Sequence, residues 1–568
     1  MSGDDAPPRA RGLFSALAVF AERRTVVMLA LGFAAGLPNL LVFDTLSAWL
    51  RDSGLSLEVI SFFSLATISY SFKFLWAPLI DRLAVPGLTG WLGHRRSWML
   101  VAQVAITLGL LAVSTSDPKG NLALVAVFAV FTGFSSATQD IVIDAWRIEA
   151  ADVSRQGAMA AAYQWGYRIA IIVAGAVPLI LADRLGWNLS YGLMAGLMLI
   201  GMLAVLAAPR EQAHVIKPLP TDGGKGSPLL EGLEWAARFA LIAAGALFLG
   251  SGLIADAGIL QKLLGLAGFG DAGAALQAAW TAKPNGIWLQ LVGVLCGFAV
   301  IGLAAYPLPH VRTRPGTYIS HALGDPLADF FARFGKVAWL ILALICLYRL
   351  SDFVLNIMTP FYLDLGFSKT QIAEARKVFG VAMSMLGVFA GGWSIARFGI
   401  MRALVVGAFA LPITNTIFAW LATQGPDMTA LFIAIGIDNV VSGYAGTCLV
   451  AYMSSLTSVG FTATQYALFS SLYSLPGKLI ASLSGRIVES AAAASEHGGP
   501  LAFLQGLFAH TPPAAFAGAM VKSHVAPAAL GSGYVVFFLY SGLVGVVSMI
   551  LSVLVLRYQP ARPAEPAA

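Results

Sequence analysis

Charge is the first scarcity. Asp, Glu, Lys and Arg together make up 11% of the 568 residues, against roughly 25% in an ordinary soluble domain. A chain this poor in charge cannot clothe a water-facing surface of its size, so a soluble fold of ordinary composition is excluded. Cysteine is scarce too. Cys296, Cys346 and Cys448 stand singly inside apolar runs. Their spacing matches neither a disulfide framework nor a metal site, and they read as small buried hydrophobes. Catalytic signatures are missing as well: the chain holds no HExxH and no GxSxG. The stretch "GFGDAG" at 268–273 copies a dinucleotide-binding glycine pattern, but no strand precedes it. "GGKGS" lacks the ending of a phosphate loop. No catalytic residue, metal or cofactor is expected, and the chain does not read as an enzyme. The net charge of +6 comes without basic patches interleaved with aromatics, which removes nucleic acid as a partner.

What the chain has is apolar length. Hydrophobic residues form 58% of it, and many runs exceed the roughly 20 residues that cross about 30 Å of hydrocarbon. About fourteen spans are expected, near 26–50, 58–80, 97–115, 121–147, 158–183, 187–208, 232–255, 286–308, 337–363, 371–396, 401–423, 428–456, 464–486 and 531–556. Arg23 and Arg24 precede the first run as in a signal peptide, but that run continues past residue 45 and is too long for a cleaved apolar region. The expected organisation is a tail at 1–25, a six-helix half at 26–208, a linker at 209–336 with an inserted hairpin at 232–308, a second six-helix half at 337–556, and a tail at 557–568. Lys and Arg are about twice as frequent in the links on the side of the N-terminus as in those on the other side. That bias places both termini in the cytoplasm.

Charges inside the spans carry the functional signal, because each costs on the order of 2.5–3.5 kcal/mol on insertion scales. Asp140, Asp144 and Arg147 fall at i, i+4 and i+7 and share one helical face. Tyr70 shares a face with Lys73, and Arg349 with Asp352. Asp44, Asp438 and Arg486 are further charges in the apolar runs. One charged face per helix can line a wet central path while the other faces meet lipid. The same pairs can also act as plain braces between helices, above all Arg349 with Asp352. Lys73, Arg168, Arg349 and Lys478 suit a cargo bearing carboxylates or phosphates. Gln139, Gln164 and Asn356 add hydrogen-bonding capacity, and Trp76 and Trp165 offer flat faces for sugars. Asp140 lies deepest on its face and is the expected proton carrier, with Asp144 beside it. At the inner mouth, "APLIDRL…GHRRSW" in the first half is echoed by "GGWSIARFGIMRA" in the second. Asp81, Arg82, Arg147 and Arg397 are the expected gate, and Ala396 stands where the second acid should be.

These stretches resemble a known family. "FFSLATISYSFKFLWAPLIDR", "RRSW", "SSATQDIVIDAWRIE" and "GYR" at 166–168, with "LYRLSDFVLNIMTPFYLDLGFS" and "TATQYALFSSLYSLPGKL" in the second half, are similar to the AmpG muropeptide permeases of the major facilitator superfamily. The resemblance covers both halves and fades in the insert and in the outer loop 487–530. It implies an all-α major facilitator fold, with two six-helix halves around a central path plus the hairpin. It implies proton-coupled import of GlcNAc-1,6-anhydroMurNAc and its peptides across the inner membrane of a Gram-negative bacterium, serving cell-wall recycling and β-lactamase induction. The implied partners are muropeptide, protons and the lipid bilayer, with the protein a monomer. A carrier or exporter of another organic anion fits the composition too, as does a membrane-embedded sensor or enzyme.

Overall fold

The computed structural model describes residues 22–53, 70, 73–152, 155–210, 228–254, 256–282, 286–306, 313–368, 371–372, 374–481, 484–496, 499–520 and 525–558. The tails, most of the expected second span and the linker at 211–227 lie outside them. Among the described residues the chain is helical, without a strand.

The first half contains α1 (Arg23–Leu40), α2 (Ala77–Arg82), α3 (His94–Ser114), α4 (Leu122–Glu149), α5 (Gln156–Leu185) and α6 (Trp187–Ala207). The insert follows as α7 (Pro228–Ile254), α8 (Gly258–Leu266), α9 (Gly270–Thr281) and α10 (Gly286–Ala305). The short α11 (Arg314–Ile319) and α12 (Asp325–Phe334) lead to the second half: α13 (Val337–Leu347), α14 (Met358–Leu365), α15 (Gly380–Phe398), α16 (Ile400–Gln424), α17 (Met428–Ser455), α18 (Thr462–Ala481), α19 (Ser484–Ser495) and α20 (Pro527–Tyr558). This is the helix order that the resemblance implies, in a multi-pass membrane architecture. Ten helices are long and apolar enough to cross a membrane, or eleven if one bent pair is counted, among the described residues. Part of the difference from fourteen is the second span, most of which lies outside the described residues, and the rest has local causes. A π turn at Leu41–Thr45, just after Pro38, divides the first span. The seventh is split into α13, Leu350–Val354 and α14. The first half of α18 is rich in Thr, Gln, Tyr and Ser.

Local chemistry sets the ends and crossings. The Asn121 side chain accepts from the Leu124 amide at the start of α4, and Asp427 does the same for Thr429 at α17. Gly166 of α5 lies against the Leu29 carbonyl of α1, where a Cβ has no room. Gly443 of α17 meets the Ser384 carbonyl of α15 in the same way. Without a hydrophobic drive between helices in lipid, such close backbone approach through small residues is what draws helices together.

Two additions flank the path. The hairpin α7–α10 sends Leu249, Phe298 and Ile301 into a core shared with Phe74 of the first half and Ala463 and Ala467 of the second. It therefore covers the seam between the halves on one side. The segment α11–α12 lies at 112° to the following helix and runs across the end of the bundle instead of through it.

Candidate functional site

Two charge clusters lie inside the bundle, one in each half. In the first half, Asp144 pairs with Arg147 at 3.1 Å and with Lys73 at 3.9 Å. One Asp140 carboxylate oxygen is buried without a hydrogen-bond partner. Tyr70, Tyr163 and Tyr167 lie within its electrostatic reach, as does Lys73. The shared face read from spacing thus exists in space. Arg147, fully buried, leaves it to cross the seam: it donates to Ser454 Oγ of α17 at 2.7 Å and sits 5.1 Å from the Tyr466 ring centre.

In the second half, Arg349 occupies the break between α13 and the next helical piece, with non-helical dihedrals of φ −110° and ψ 23°. Its Nε and Nη2 donate to one oxygen of Asp352 at 2.9 and 2.5 Å. Nη2 also reaches Ser442, and Nη1 reaches Tyr473. From α5, Arg168 faces Arg349 and makes no ion pair or hydrogen bond among the described residues. One turn earlier, Gln164 donates to Thr447 at 3.1 Å and Trp165 to the Met385 carbonyl at 2.8 Å. The side chains of Asn356 and Lys478 lie outside the described residues, as does that of Asp44.

Two expected site residues are used for packing. Gln139 is fully buried and donates to the Ala34 carbonyl at 2.9 Å, because it sits about 100° round the helix from Asp140. Trp76 donates to Thr138 and tilts against Phe134, an exposed ring of α4. Neither is turned to the charged face. Trp165 likewise spends its N–H on joining α5 to α15.

At the end of the bundle where α2 and α18 meet, Asp81 accepts from the Ala463 and Thr464 amides and from Thr464 Oγ1, at 3.2, 2.8 and 2.7 Å. It caps a helix of the other half, where amide donors and the helix dipole both favour an anion. Arg95 holds Asp81 and Glu149 at 2.7 Å each, entirely buried. Arg82 donates to the His321 carbonyl at 2.8 Å and pairs with Asp325 of α12 at 3.5 Å. On the same surface Asp329 accepts from Ser458, Gln465 and Arg333. Burial pushes its carboxyl up, but these donors outweigh that and hold it below the ordinary carboxylate range. Arg397 stands apart from this latch. It is exposed, 6.0 Å from the neighbouring Phe398 ring, with no ion pair among the described residues.

Sequence reasoning placed Arg95 and Arg96 at the inner mouth, through "GHRRSW", but missed Glu149 as the partner of Arg95, the hydroxyls of Ser442, Ser454 and Tyr473, and the role of α12. The hydroxyl residues look like any others in an apolar helix.

The Major Facilitator Superfamily model matches residues 25–283. The chain is 28% identical over 473 residues to a Rickettsia felis protein provisionally named transporter AmpG 4, across 83% of this chain and 91% of that one. It is 28% identical over 477 residues to the anhydromuropeptide permease of Escherichia coli K12, across 84% and 76%. Among solved structures, the proton:xylose symporter XylE bound to 6-bromo-6-deoxy-D-glucose superposes with a TM-score of 0.51 at 10% identity, covering 96% of each chain. At that identity the likeness is one of fold.

Proposed function

The chain belongs to the AmpG family of the major facilitator superfamily, a transporter and not an enzyme, and from that premise we propose that it carries anhydromuropeptides inward with protons. The cargo is GlcNAc-1,6-anhydroMurNAc and its peptides, taken from periplasm to cytoplasm through a Gram-negative inner membrane, for cell-wall recycling and the β-lactamase induction linked to it. The protein works as a monomer. One observation carries the reading: Arg168, unpaired among the described residues, faces Arg349 across the seam while Asp140 of α4 keeps a buried, unpartnered oxygen. A cation without a partner suits a cargo carboxylate, and a buried carboxylate without a partner suits a proton.

In this reading Asp140 carries the proton, and Asp144 adjusts it through Lys73 and Arg147. Lys73, Arg168 and Arg349 hold anionic groups, with Tyr70, Gln164, Asn356 and Lys478 around the cargo. The Lys and Arg bias puts the Asp81–Arg95–Arg147 latch on the cytoplasmic side, so the structure is closed inward. Each latch bond to a charged group stabilises that state by about 1.5–3 kcal/mol. Cargo and proton must therefore favour the inward-open state by several kcal/mol between them, since a ligand shifts an equilibrium only by its difference in affinity for the two states.

The test is uptake of labelled anhydromuropeptide into right-side-out and inverted vesicles, with and without a proton gradient. Gradient-driven uptake into right-side-out vesicles, lost in Asp140→Asn protein that still inserts, is the expected result. Wild-type rates in that variant would overturn the role of Asp140, and transport only in the opposite direction would mark an exporter.

A further inference from the structure

We propose that Asp352 and Asp438 form a second proton-binding site, loaded when a carboxylate of the cargo takes the place of Asp352 on Arg349. It rests on the proton-coupled reading above and adds a second acid at another depth.

The bonding of Arg349 is lopsided. Two of its nitrogens crowd onto Asp352 Oδ2, while Oδ1 is buried and accepts nothing. The parallel two-oxygen grip that a guanidinium offers a carboxylate is left unused. Across the seam Arg168 faces Arg349 with no partner among the described residues. Two guanidiniums sharing one carboxylate leave a surplus positive charge. An incoming carboxylate answers it by bridging Arg168 of the first half to Arg349 of the second, which draws the halves together.

That exchange strands Asp352 beside Asp438 of α17. Asp438 lies in the electrostatic reach of Asp352, Arg349 and Arg376 and makes no hydrogen bond or ion pair among the described residues. The charged and titratable groups around the pair are Arg349 in the break of the seventh span, Tyr348 just before it, whose hydroxyl donates to the Leu404 carbonyl, Arg376 from the π-helical turn Glu374–Phe379, and Tyr362 from α14, on whose ring Arg376 stacks at 5.8 Å. Tyr473 of α18 reaches Arg349. The neighbouring α16 brings an amide, Asn415, bonded to the Ser351 carbonyl. Once cargo holds Arg349, the exposed Arg376 is the cation left to two adjacent carboxylates. Like charges at such range in a low-dielectric site do not both stay ionised. One carboxylate takes a proton from the open side to become a carboxylic acid. It gives that proton up when the cargo leaves and Asp352 returns to Arg349.

The two proton sites differ in depth. α4 and α17 hold matching places in their halves and both have 28 residues. Asp140 follows the start of its helix by 18 residues and Asp438 by 10. Eight residues at 1.5 Å each set Asp438 about 12 Å nearer the end opposite the latch.

The experiment uses the full chain in proteoliposomes, with the potential clamped to zero and an inward proton gradient of one unit, and reads the plateau accumulation of labelled GlcNAc-1,6-anhydroMurNAc tripeptide. Each coupled proton sets about a tenfold limit per unit. Wild type is expected to approach about 100-fold. Asp438→Asn and Asp352→Asn are expected to stop at about 10-fold, and Asp438→Glu to return to the wild-type plateau. The plateau is an equilibrium limit, so a slow variant still reports it. A wild-type limit of about 10-fold overturns the second site whether or not any variant inserts, and so does a wild-type plateau in Asp438→Asn. Both results leave the uptake reading standing. A wild type that accumulates nothing above the medium overturns the uptake reading itself.

Discussion

The matching inner links of the two halves teach more by their difference than by their echo. In the first, Asp81, Arg82 and Arg95 build a buried network that caps α18 of the opposite half. In the second, Ala396 replaces the acid and Arg397 points to the surface. The helix this second link could cap is α5, whose start lies close by: Ile395 packs so tightly on Gly157 that a Cβ there would sit 2.7 Å from it. Yet α5 begins at Arg155 without a side-chain cap. One seam is thus fastened by charge and the other by close packing of small and aliphatic groups. A charged fastening depends on keeping its partners together, whereas a packed one gives way gradually.

The largest effect expected from that contrast follows Arg95→Ala. It removes the buried cation that Asp81 and Glu149 share, and breaking a buried pair in this way costs about 3–5 kcal/mol. Thermal unfolding in detergent should register it as the steepest loss among single substitutions in either link. Wild-type melting in this variant would show that the network is not what fastens the first seam.

Ala396→Asp works in the other direction and is smaller. A carboxylate beside the start of α5 would supply the missing cap, worth about 0.5–2 kcal/mol. If the two links differ through that acid alone, the variant holds the latched state longer. Transport should slow by several-fold while the melting temperature rises slightly. Faster transport would mean that the packed seam has no room for a second latch.

The halves were legible in the sequence because long apolar runs separated by basic links leave little choice in a membrane. The charged face of α4 was legible because i, i+4 and i+7 coincide on any helix. What stayed hidden depends on partners far along the chain. Asp81 read as a gate residue, but its donors at Ala463 and Thr464 are over 380 residues away, and no local pattern names them. Arg349 read as one of a helical pair, whereas it sits where the helix breaks, and that break frees it to face Arg168. Trp76 and Gln139 carry the right chemistry for sugar and peptide groups. Gln139 by its side of α4, and Trp76 by its place in the turn before α2, are used for packing, which composition cannot distinguish from lining.

The smallest effects belong to the surface where α12 lies across the latch. Asp329 is held below the ordinary carboxylate range by Ser458, Gln465 and Arg333. Its contribution is therefore fully present above the unfolded value of about 3.9 and is lost only as pH falls through its lower folded value. Between pH 5 and 8 this anchor stays ionised and bonded. Any change of transport rate with pH in that window must then come from groups other than Asp329. Asp329→Asn should slacken the docking of α12, seen as faster amide exchange along Asp325–Phe334, while leaving the shape of the pH profile unchanged. Arg397→Ala, with no ion pair to lose among the described residues, should alter neither melting nor transport. If the profile does move in Asp329→Asn, the charged link titrates along with the path. The division between a fastening fixed by charge and a path moved by protons would then be lost.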